Sequence, residues 1–226
     1  MKEYQSKVIE KNFLTSNILE LVLEVDGDFN FIPGQFVQFI IEEKVNRAYS
    51  ITSLPSDLPS LRFLIHLEEG GVGSEFIRAK NIGEIITFRG PVGQFVWKDK
   101  SATTIFVATG VGLAPFISML DDGLASASNA VLVFGTREPQ ALFYKQKFEN
   151  LEIEHDNFSY LPILSGVAEG WTGERGRVDK LLPDLVKSFP QAIFFLCGGA
   201  EMVRDARALL LTSGVSMQNI KIEIFT

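Results

Sequence analysis

Residues 103–122 read TTIFVATGVGLAPFISMLDD, an apolar run followed directly by a glycine turn and a helix-like segment. Gly110 and Gly112 allow a tight turn and a close approach of the backbone to a pyrophosphate, and the next helix offers free N–H groups. Pro115 is well tolerated in a first helical turn. The spacing is G-x-G-x-x-P and not the usual G-x-G-x-x-G, so the glycines could also serve the turn alone.

The rest of this half repeats the same alternation. Apolar runs are predicted as strands at 103–110, 130–136, 158–165, 192–198 and 220–225, with helices at 113–122, 141–151, 178–188 and 200–214. Strands buried on both faces and separated by helices predict a doubly wound parallel sheet. The stretch CGGAEMVRD, 197–205, places a second glycine loop at the sheet edge where such folds bind ligands. Cys197 either lies at that edge or is a small buried hydrophobe.

The first half has a different rhythm. Short β-like runs lie at 16–25, 35–41, 48–52, 61–67 and 85–88, and a short helix is predicted at 74–80. Proline and glycine punctuate these runs, which predicts an antiparallel barrel or sandwich. The rhythm changes near WKDKSA, 97–102, so we predict domains at 1–98 and 99–226.

Composition excludes several classes of protein. The 226 residues carry a net charge of −7 and no basic run, which argues against binding of nucleic acid. The single cysteine excludes an internal disulfide and a four-cysteine iron–sulfur or metal site. The N-terminus is polar, and no apolar run is long enough to span a bilayer. We therefore expect a cytoplasmic protein that binds neither membrane nor metal.

Five short motifs occur in order: RAYS at 47–50, GGVGS at 70–74, GPVGQF at 90–95, TGVGLAP at 109–115 and CGGAEM at 197–202. Together they resemble the ferredoxin–NADP+ reductases and their flavoprotein relatives over nearly the whole chain. The resemblance implies an FAD-binding antiparallel β-barrel followed by an NAD(P)-binding α/β domain. It also implies an oxidoreductase that passes electrons between NADPH or NADH and a separate one-electron carrier, ferredoxin or flavodoxin.

The resemblance implies a role for each motif residue at the flavin. Tyr49 would stack on the ring, Ser50 would hydrogen-bond its reactive nitrogen, and Arg47 would contact the pyrophosphate. Glu223 and Phe225 stand where plant-type reductases carry a glutamate and an aromatic that covers the flavin, although Phe225 could also be strand packing. The predicted FAD-binding residues are Arg47, Ala48, Tyr49, Ser50, His66, Glu68, Gly71, Gly73, Ser74 and Phe225.

The same resemblance places the nicotinamide nucleotide on the second half. Cys197 would lie beside the hydride-carrying carbon, and the implied catalytic residues are Ser50, Cys197 and Glu223. The predicted nucleotide-binding residues are Thr109, Gly110, Gly112, Pro115, Arg137, Arg175, Arg177, Cys197, Gly198 and Met202.

The sequence favours NADPH over NADH without deciding between them. Arg137 follows the second strand of the α/β half, where an adenosine ribose or its 2′-phosphate binds in such sheets. NADP-using relatives carry an arginine after a serine at the next strand end, but here Ser165 is followed by Gly166. Arg175 and Arg177 could compensate, or each arginine could be a solvated surface charge.

Two other functions fit the same motifs. The chain could be an NAD(P)H:flavin reductase that releases flavin as a product, although GGVGS and Arg47 favour tightly held FAD. It could also be an electron-transfer subunit of a larger complex. We expect a monomer whose electron carrier is a separate chain.

Overall fold

The computed structural model describes residues 1–167 and 169–225. The chain divides into two compact units, of which the first comprises residues 1–97 and 114–122. The second comprises residues 98–113 and the chain from 123 onward. The helix that follows the first glycine turn therefore belongs to the antiparallel unit. The limits 1–98 and 99–226 stay a prediction for the two domains.

The first unit is built on an antiparallel sheet with one helix after its fifth strand. Its elements are β1 (Lys2–Phe13), β2 (Ile18–Val25), β3 (Phe36–Glu42), β4 (Val45–Ser50), β5 (Ser60–His66), α1 (Val72–Ala79) and β6 (Ile85–Val92). The strands are ordered β4-β3-β6-β1-β2-β5, and a bridge between Ile51 and Phe63 links the two edges. The predicted antiparallel barrel is confirmed, with α1 two residues earlier than expected.

Strand β1 was not predicted, because the segment KEYQSKVIEKNF has too few apolar residues to stand out. Its side chains nevertheless alternate: Ser6 and Val8 are buried, whereas Lys7 is exposed. One face of an antiparallel sheet can be solvated, so a strand at its middle can carry mostly polar residues. Aromatic rings fill the core behind it, and the Phe39 and Phe63 centroids lie 5.1 Å apart, edge to face.

The second unit is built on a parallel sheet. Its strands are β7 (Thr104–Thr109), β8 (Ala130–Thr136), β9 (Phe158–Leu164), β10 (Glu174–Arg175), β11 (Ile193–Gly199) and β12 (Ile220–Phe225). The order is β10-β9-β8-β7-β11-β12, so β8 and β11 pair with β7 on its two opposite sides. The predicted doubly wound sheet is confirmed, and β7 marks the switch point at which such folds bind nucleotides. The two-residue β10 is exposed and polar, which is why no pattern indicated it.

Four further helices follow the strands of this half of the chain. They are α2 (Ala114–Gly123), α3 (Lys145–Glu154), α4 (Leu182–Ser188) and α5 (Ala200–Thr212). The helix predicted at 141–151 begins later, because Tyr144 precedes it in the left-handed region with φ 61°. The helix predicted at 178–188 starts with a 3-10 turn over Val178–Leu181. Within the part of the chain that is described, no helix is both long and apolar enough to cross a membrane.

Helix α2 packs on the antiparallel unit through its own side chains. The buried Ser118 hydroxyl donates to the carbonyl of Ile51 over 3.0 Å, directly after β4. The Phe116 and Phe95 rings lie 5.8 Å apart. These contacts fix the segment that follows the RAYS motif.

Candidate functional site

The RAYS motif occupies the end of β4, an edge strand that pairs with β3. Arg47 and Ala48 are exposed, whereas the Ser50 side chain is 3% exposed. The half-buried Tyr49 ring packs against Phe39, with the ring centroids 4.7 Å apart. The strand therefore presents a cation and an anchored aromatic ring side by side.

The Tyr49 phenol stays neutral across the physiological range. Burial raises the pKa of Tyr49 to about 12, while the positive charge of Arg47 acts in the opposite direction. The Arg47 guanidinium donates through Nη1 to the Asn46 carbonyl over 2.9 Å. A neutral aromatic ring beside a permanent cation suits a ligand that is flat at one end and anionic at the other.

The glycine loop at 70–74 leads directly into α1. Gly70 has a φ of 70°, and Gly71 caps the helix without a side-chain hydrogen bond. The Ser74 hydroxyl accepts the backbone N–H of Glu68 over 2.9 Å, which closes the loop on itself. The N–H groups in the first turn of a helix have no partner within the helix, so they can hold an anion.

This loop and the RAYS strand are in direct contact. A β-carbon at Gly73 would lie 2.7 Å from Tyr49 Oη and 2.9 Å from Arg47 Cγ. Only glycine fits at this position without displacing both side chains. The structure thus brings together Arg47, Tyr49 and the first turn of α1, and these groups fit the pyrophosphate and ring of FAD.

Two buried oxygens beside the motif were not indicated by the sequence. Asn46 Oδ1 and Thr52 Oγ1 are buried and lack a hydrogen-bond partner. Buried polar atoms are rarely left unpaired, so both are candidates for contact with a ligand. Asn46 and Thr52 flank the RAYS motif without belonging to it, which is why no pattern singled them out.

His66 and Glu68 lie at the end of β5 and just before the loop. His66 Nε2 is 3.0 Å from Asn17 Nδ2, and its Nδ1 is 3.8 Å from Glu68 Oε1. Both side chains are exposed. Glu68 joins the loop through its backbone N–H, and contact of either side chain with FAD stays a prediction.

In the second unit, the two predicted glycine loops lie side by side at the carboxyl ends of β7 and β11. Cys197 pairs with Ala108 in the ladder between these strands. A β-carbon at Gly112 would lie 2.3 Å from the Cys197 carbonyl oxygen. One at Gly198 would lie 2.4 Å from Thr109 Oγ1 and 2.7 Å from Met202 Cε. The backbones of the two loops are therefore in contact, and the absence of side chains at these glycines would allow a nucleotide to approach the backbone closely.

A glycine on the neighbouring strand extends this surface. Gly135 is the next-to-last residue of β8, and a β-carbon there would lie 2.4 Å from Val178 Cγ1 and 3.3 Å from Thr109 Cγ2. The strand-end motif FGT could have indicated it. Three adjacent strands, β8, β7 and β11, thus each have at or just after their carboxyl end a glycine with no room for a side chain, namely Gly135, Gly112 and Gly198.

Cys197 and Glu223 face each other across β11 and β12. The Cys197 thiol is fully buried, and burial raises its pKa well above the ordinary value, as does the negative charge of Glu223. The thiol is therefore neutral and poorly suited to act as a nucleophile. Phe225 is half-buried opposite Gly199 in the same ladder.

The predicted arginines differ in their surroundings. Arg137 is exposed after β8, and its carbonyl accepts the Gly166 N–H over 3.0 Å. A β-carbon at Gly166 would lie 2.3 Å from that carbonyl oxygen, so this conformation has no space for the arginine that the resemblance implies at this position. Arg175 donates to the Trp171 carbonyl over 3.0 Å.

Arg177 is held by acidic side chains. Its guanidinium nitrogens lie 2.8 Å from Glu201 Oε1 and 3.2 Å from Asp205 Oδ2, and Asp179 is 4.0 Å away. The hydrogen bond with Glu201 raises the pKa of Arg177. These carboxylates neutralise the charge that a 2′-phosphate would need, so the contacts do not support the predicted compensating role of Arg177.

The remaining predicted residues lie at the loop that joins the two units in sequence. Gly110 has a φ of 54° with open space around it, which favours glycine at this position. Pro115 is the second residue of α2, and its carbonyl accepts the Ser118 hydroxyl over 3.3 Å. Among residues 1–167 and 169–225, no group of three His, Cys, Asp or Glu side chains could hold a metal ion.

Comparison with known proteins gives matches over both units. Residues 5–97 match the oxidoreductase FAD-binding domain, and residues 106–208 match the oxidoreductase NAD-binding domain. Ferredoxin–NADP reductase B of Sorangium cellulosum is 31% identical, covering 97% of this chain and 96% of its own length. The phenol hydroxylase P5 protein of Acinetobacter pittii is 32% identical over all of this chain, which spans 66% of that relative.

The fold is also that of a solved reductase. A ferredoxin NADP+ reductase from Neisseria gonorrhoeae with bound FAD and NADP superposes with a TM-score of 0.87 at 22% identity over 99% of both chains. The two matched domains and the full-length relative agree with the motif order, with the antiparallel sheet and with the switch-point glycines. The chain thus belongs to the ferredoxin–NADP reductase family, as an oxidoreductase that binds FAD and a nicotinamide nucleotide.

Proposed function

We propose that the protein holds FAD tightly, takes hydride from NADPH or NADH, and passes the electrons singly to a separate ferredoxin or flavodoxin. One observation carries the proposal: the first turn of α1 lies against Arg47 and Tyr49, with Gly73 leaving no gap between them. That arrangement joins a cation, free N–H groups and an aromatic ring. The flavin, when bound, supplies the chemistry that accepts two electrons and releases one at a time.

The residues of this chain bind and orient the flavin in the proposal. Arg47 and the first-turn amides of α1 hold the pyrophosphate, because a cation and converging N–H groups are strong ligands for phosphate. Tyr49 covers one face of the ring. Ser50 is nearly buried, so its hydroxyl has a fixed position from which to donate to or accept from the ring edge.

On the parallel unit, the glycine loops bind the nucleotide by close approach of backbone. The buried neutral thiol of Cys197 offers a small, polarisable contact for the nicotinamide, and in its protonated form it does not add to the electrophilic carbon of the oxidised ring. Glu223 is paired with Cys197 in the ladder, so in the proposal its carboxylate lies close to the reacting nicotinamide. Phe225 as a cover for the flavin remains part of this proposal.

NADPH is the proposed nucleotide, and Arg137 is the residue proposed to bind its 2′-phosphate. Arg137 is exposed at the end of β8, at the strand position where an adenosine ribose binds in doubly wound sheets. Arg177 is neutralised by acidic neighbours, and Arg175 is already bonded to a carbonyl. The preference for NADPH therefore rests on one arginine, which predicts that kcat/KM for NADPH exceeds that for NADH only modestly.

The direct test is the colour and reactivity of the purified protein. A protein that stays yellow after desalting, and is reduced by NADPH or NADH and then oxidised by ferredoxin or flavodoxin, supports the proposal. A colourless protein that reduces added free flavin would instead indicate a flavin reductase.

A second candidate function is an electron-transfer component of an oxygenase. The specific observation in its favour is the similarity to the electron transfer components of a xylene/toluene monooxygenase and of an anthranilate 1,2-dioxygenase, of which this chain spans 63% and 58%. The partner would then be an oxygenase or its ferredoxin, again a separate chain. Size-exclusion chromatography of a native extract distinguishes the two, because a stable complex elutes well ahead of a 25.1 kDa monomer.

A further inference from the structure

An irregularity in β1 turns a lysine toward α1. Up to Val8, the even-numbered residues Ser6 and Val8 are buried and Lys7 between them is exposed. The register with β2 shifts between Val8 and Glu10, which marks a β-bulge. A bulge adds one residue and so exchanges the faces of the strand, and beyond it the odd-numbered Lys11 is partly buried.

Lys11 binds the carboxyl end of α1 with its ammonium group. Its Nζ donates to the carbonyls of Ile77 over 2.9 Å, Arg78 over 3.1 Å and Lys80 over 2.6 Å. An ammonium has three N–H donors, so these bonds satisfy all of them. The carboxyl end of a helix carries the negative end of its dipole, and a cation there stabilises the helix.

Helix α1 needs such support because it is short. It has eight residues and begins at Gly71 without a side-chain cap. Isolated helices of this length are not stable in water, so tertiary contacts must hold α1 in place. Buried Ile77 provides one contact, and Lys11 fixes the backbone at the same end.

The other end of α1 is the loop that lies against Arg47 and Tyr49. A rigid eight-residue helix transmits the position of its last turn to its first. We propose that Lys11 is a positioning residue for FAD, which holds α1 so that its first-turn N–H groups stay aimed at the pyrophosphate. The inference rests on the proposed role of α1 in binding that pyrophosphate.

The test compares two ligands that differ in the phosphates. FAD carries the pyrophosphate, whereas riboflavin carries only the ring and ribityl chain. Lys11→Met should raise the dissociation constant of FAD about tenfold and leave that of riboflavin within about twofold, since the ring surface on β4 is intact. Both constants are measured from flavin fluorescence during titration of protein freed of flavin.

Lys7→Met is the matched control. Lys7 lies on the same strand, is exposed and pairs only loosely with Glu24 at 3.7 Å, so neither dissociation constant should change. Lys11→Arg keeps the charge and the donors and should restore FAD affinity to within about threefold of the original. Hydrogen exchange should show loss of protection in α1 but not in β2 or β5 of Lys11→Met.

The outcomes decide the proposal. Equal weakening of FAD and riboflavin would show that Lys11 supports the whole unit and would overturn it, as would unchanged FAD affinity in Lys11→Met. If Lys11→Met does not fold, Lys11→Gln and Lys11→Arg carry the same comparison, and equal FAD affinity in those two variants would contradict the proposal. If riboflavin binds but FAD binds no tighter in the original protein, α1 holds no pyrophosphate, and the proposed function itself fails.

Discussion

The two regions proposed to bind FAD and the nicotinamide nucleotide both contain tightly packed glycines, but the groups packed against those glycines differ. On the antiparallel unit, Gly73 packs against the side chains of Arg47 and Tyr49. On the parallel unit, Gly112 packs against the backbone of Cys197, and Gly198 against Thr109. The first region combines charge and an aromatic ring, which suits a ligand that stays bound. The second offers mostly backbone and a neutral thiol, which suits a nucleotide that exchanges at every turnover.

Because backbone atoms cannot move aside as side chains can, a methyl group in the backbone-lined region should have the largest effect. Gly112→Ala forces a β-carbon to within 2.3 Å of the Cys197 carbonyl oxygen, so the two loops must separate. We expect flavin reduction by NADPH to fall by about 100-fold or more while FAD stays bound. Stopped-flow absorbance measures the rate, and the visible spectrum reports the flavin.

Gly199→Ala is the control for Gly112→Ala. Gly199 lies in the second of the two glycine loops, next to Gly198, but a β-carbon there meets nothing within 4 Å. Its reduction rate should stay within about threefold of the original. A similar loss in both variants would mean that the close packing of the loops is not what nucleotide binding requires.

Removal of the cation from the antiparallel unit should have the next largest effect, here on the binding of FAD and not of the nicotinamide nucleotide. In the proposal, Arg47 is the cation that contacts the pyrophosphate at the first turn of α1, so FAD should bind about 30-fold more weakly to Arg47→Ala. Arg62→Ala is a matched control on β5, where the arginine lies 3.8 Å from Glu20 on the surface. FAD retention on desalting and titration would show the difference, and equal retention in both variants would remove Arg47 from the site.

The proposed catalytic pair should affect rate and not binding. Ser50→Ala and Cys197→Ala should each slow flavin reduction about tenfold with FAD still bound, because each removes a contact to a reacting ring. Between pH 6 and 8, the rate should not report ionisation of Cys197, because burial and Glu223 keep its pKa well above the ordinary 9.0. Unchanged rates in both variants, or a titration near neutrality that disappears in Cys197→Ala, would contradict these roles.

The smallest effect concerns the choice of nucleotide. Arg137→Ala should raise the KM for NADPH about fivefold more than the KM for NADH, the loss expected for an exposed charge pair with a phosphate. Arg204→Ala serves as the control, because Arg204 is an exposed arginine on α5 that pairs with Asp205 and has no proposed role in binding the nucleotide. Equal changes in both KM values would exclude a 2′-phosphate role for Arg137.

The sequence predicted the parts of the molecule that have a periodic pattern or a short motif. The parallel sheet followed from apolar runs that alternate with helices, and its strands begin and end within a few residues of the predicted bounds. The motif glycines were found because turns and close approach require that residue type. Strand β1 was missed because its solvated face breaks the apolar pattern.

What the sequence could not show were contacts between residues distant along the chain. The packing of Gly73 on Tyr49 and Arg47 depends on how α1 meets the edge of the sheet. Two of the acidic partners of Arg177, Glu201 and Asp205, lie on α5, and nothing in WTGERGRV indicates them. The contacts of Lys11 depend on a β-bulge, and the sequence of β1 does not indicate where that bulge lies.

In the proposed reaction, FAD stays bound while a nicotinamide nucleotide delivers hydride and a carrier protein removes the electrons. The most direct measurement is a stopped-flow experiment in two steps, in which desalted holoprotein is mixed with NADPH or NADH and then with oxidised ferredoxin or flavodoxin. We expect loss of the flavin absorbance near 450 nm in the first step, since oxidised FAD is the bound species. We expect that absorbance to return in the second step, at a rate that depends on the carrier concentration. Failure of both nucleotides to bleach the bound flavin, or release of the flavin on reduction, would contradict the proposed reaction.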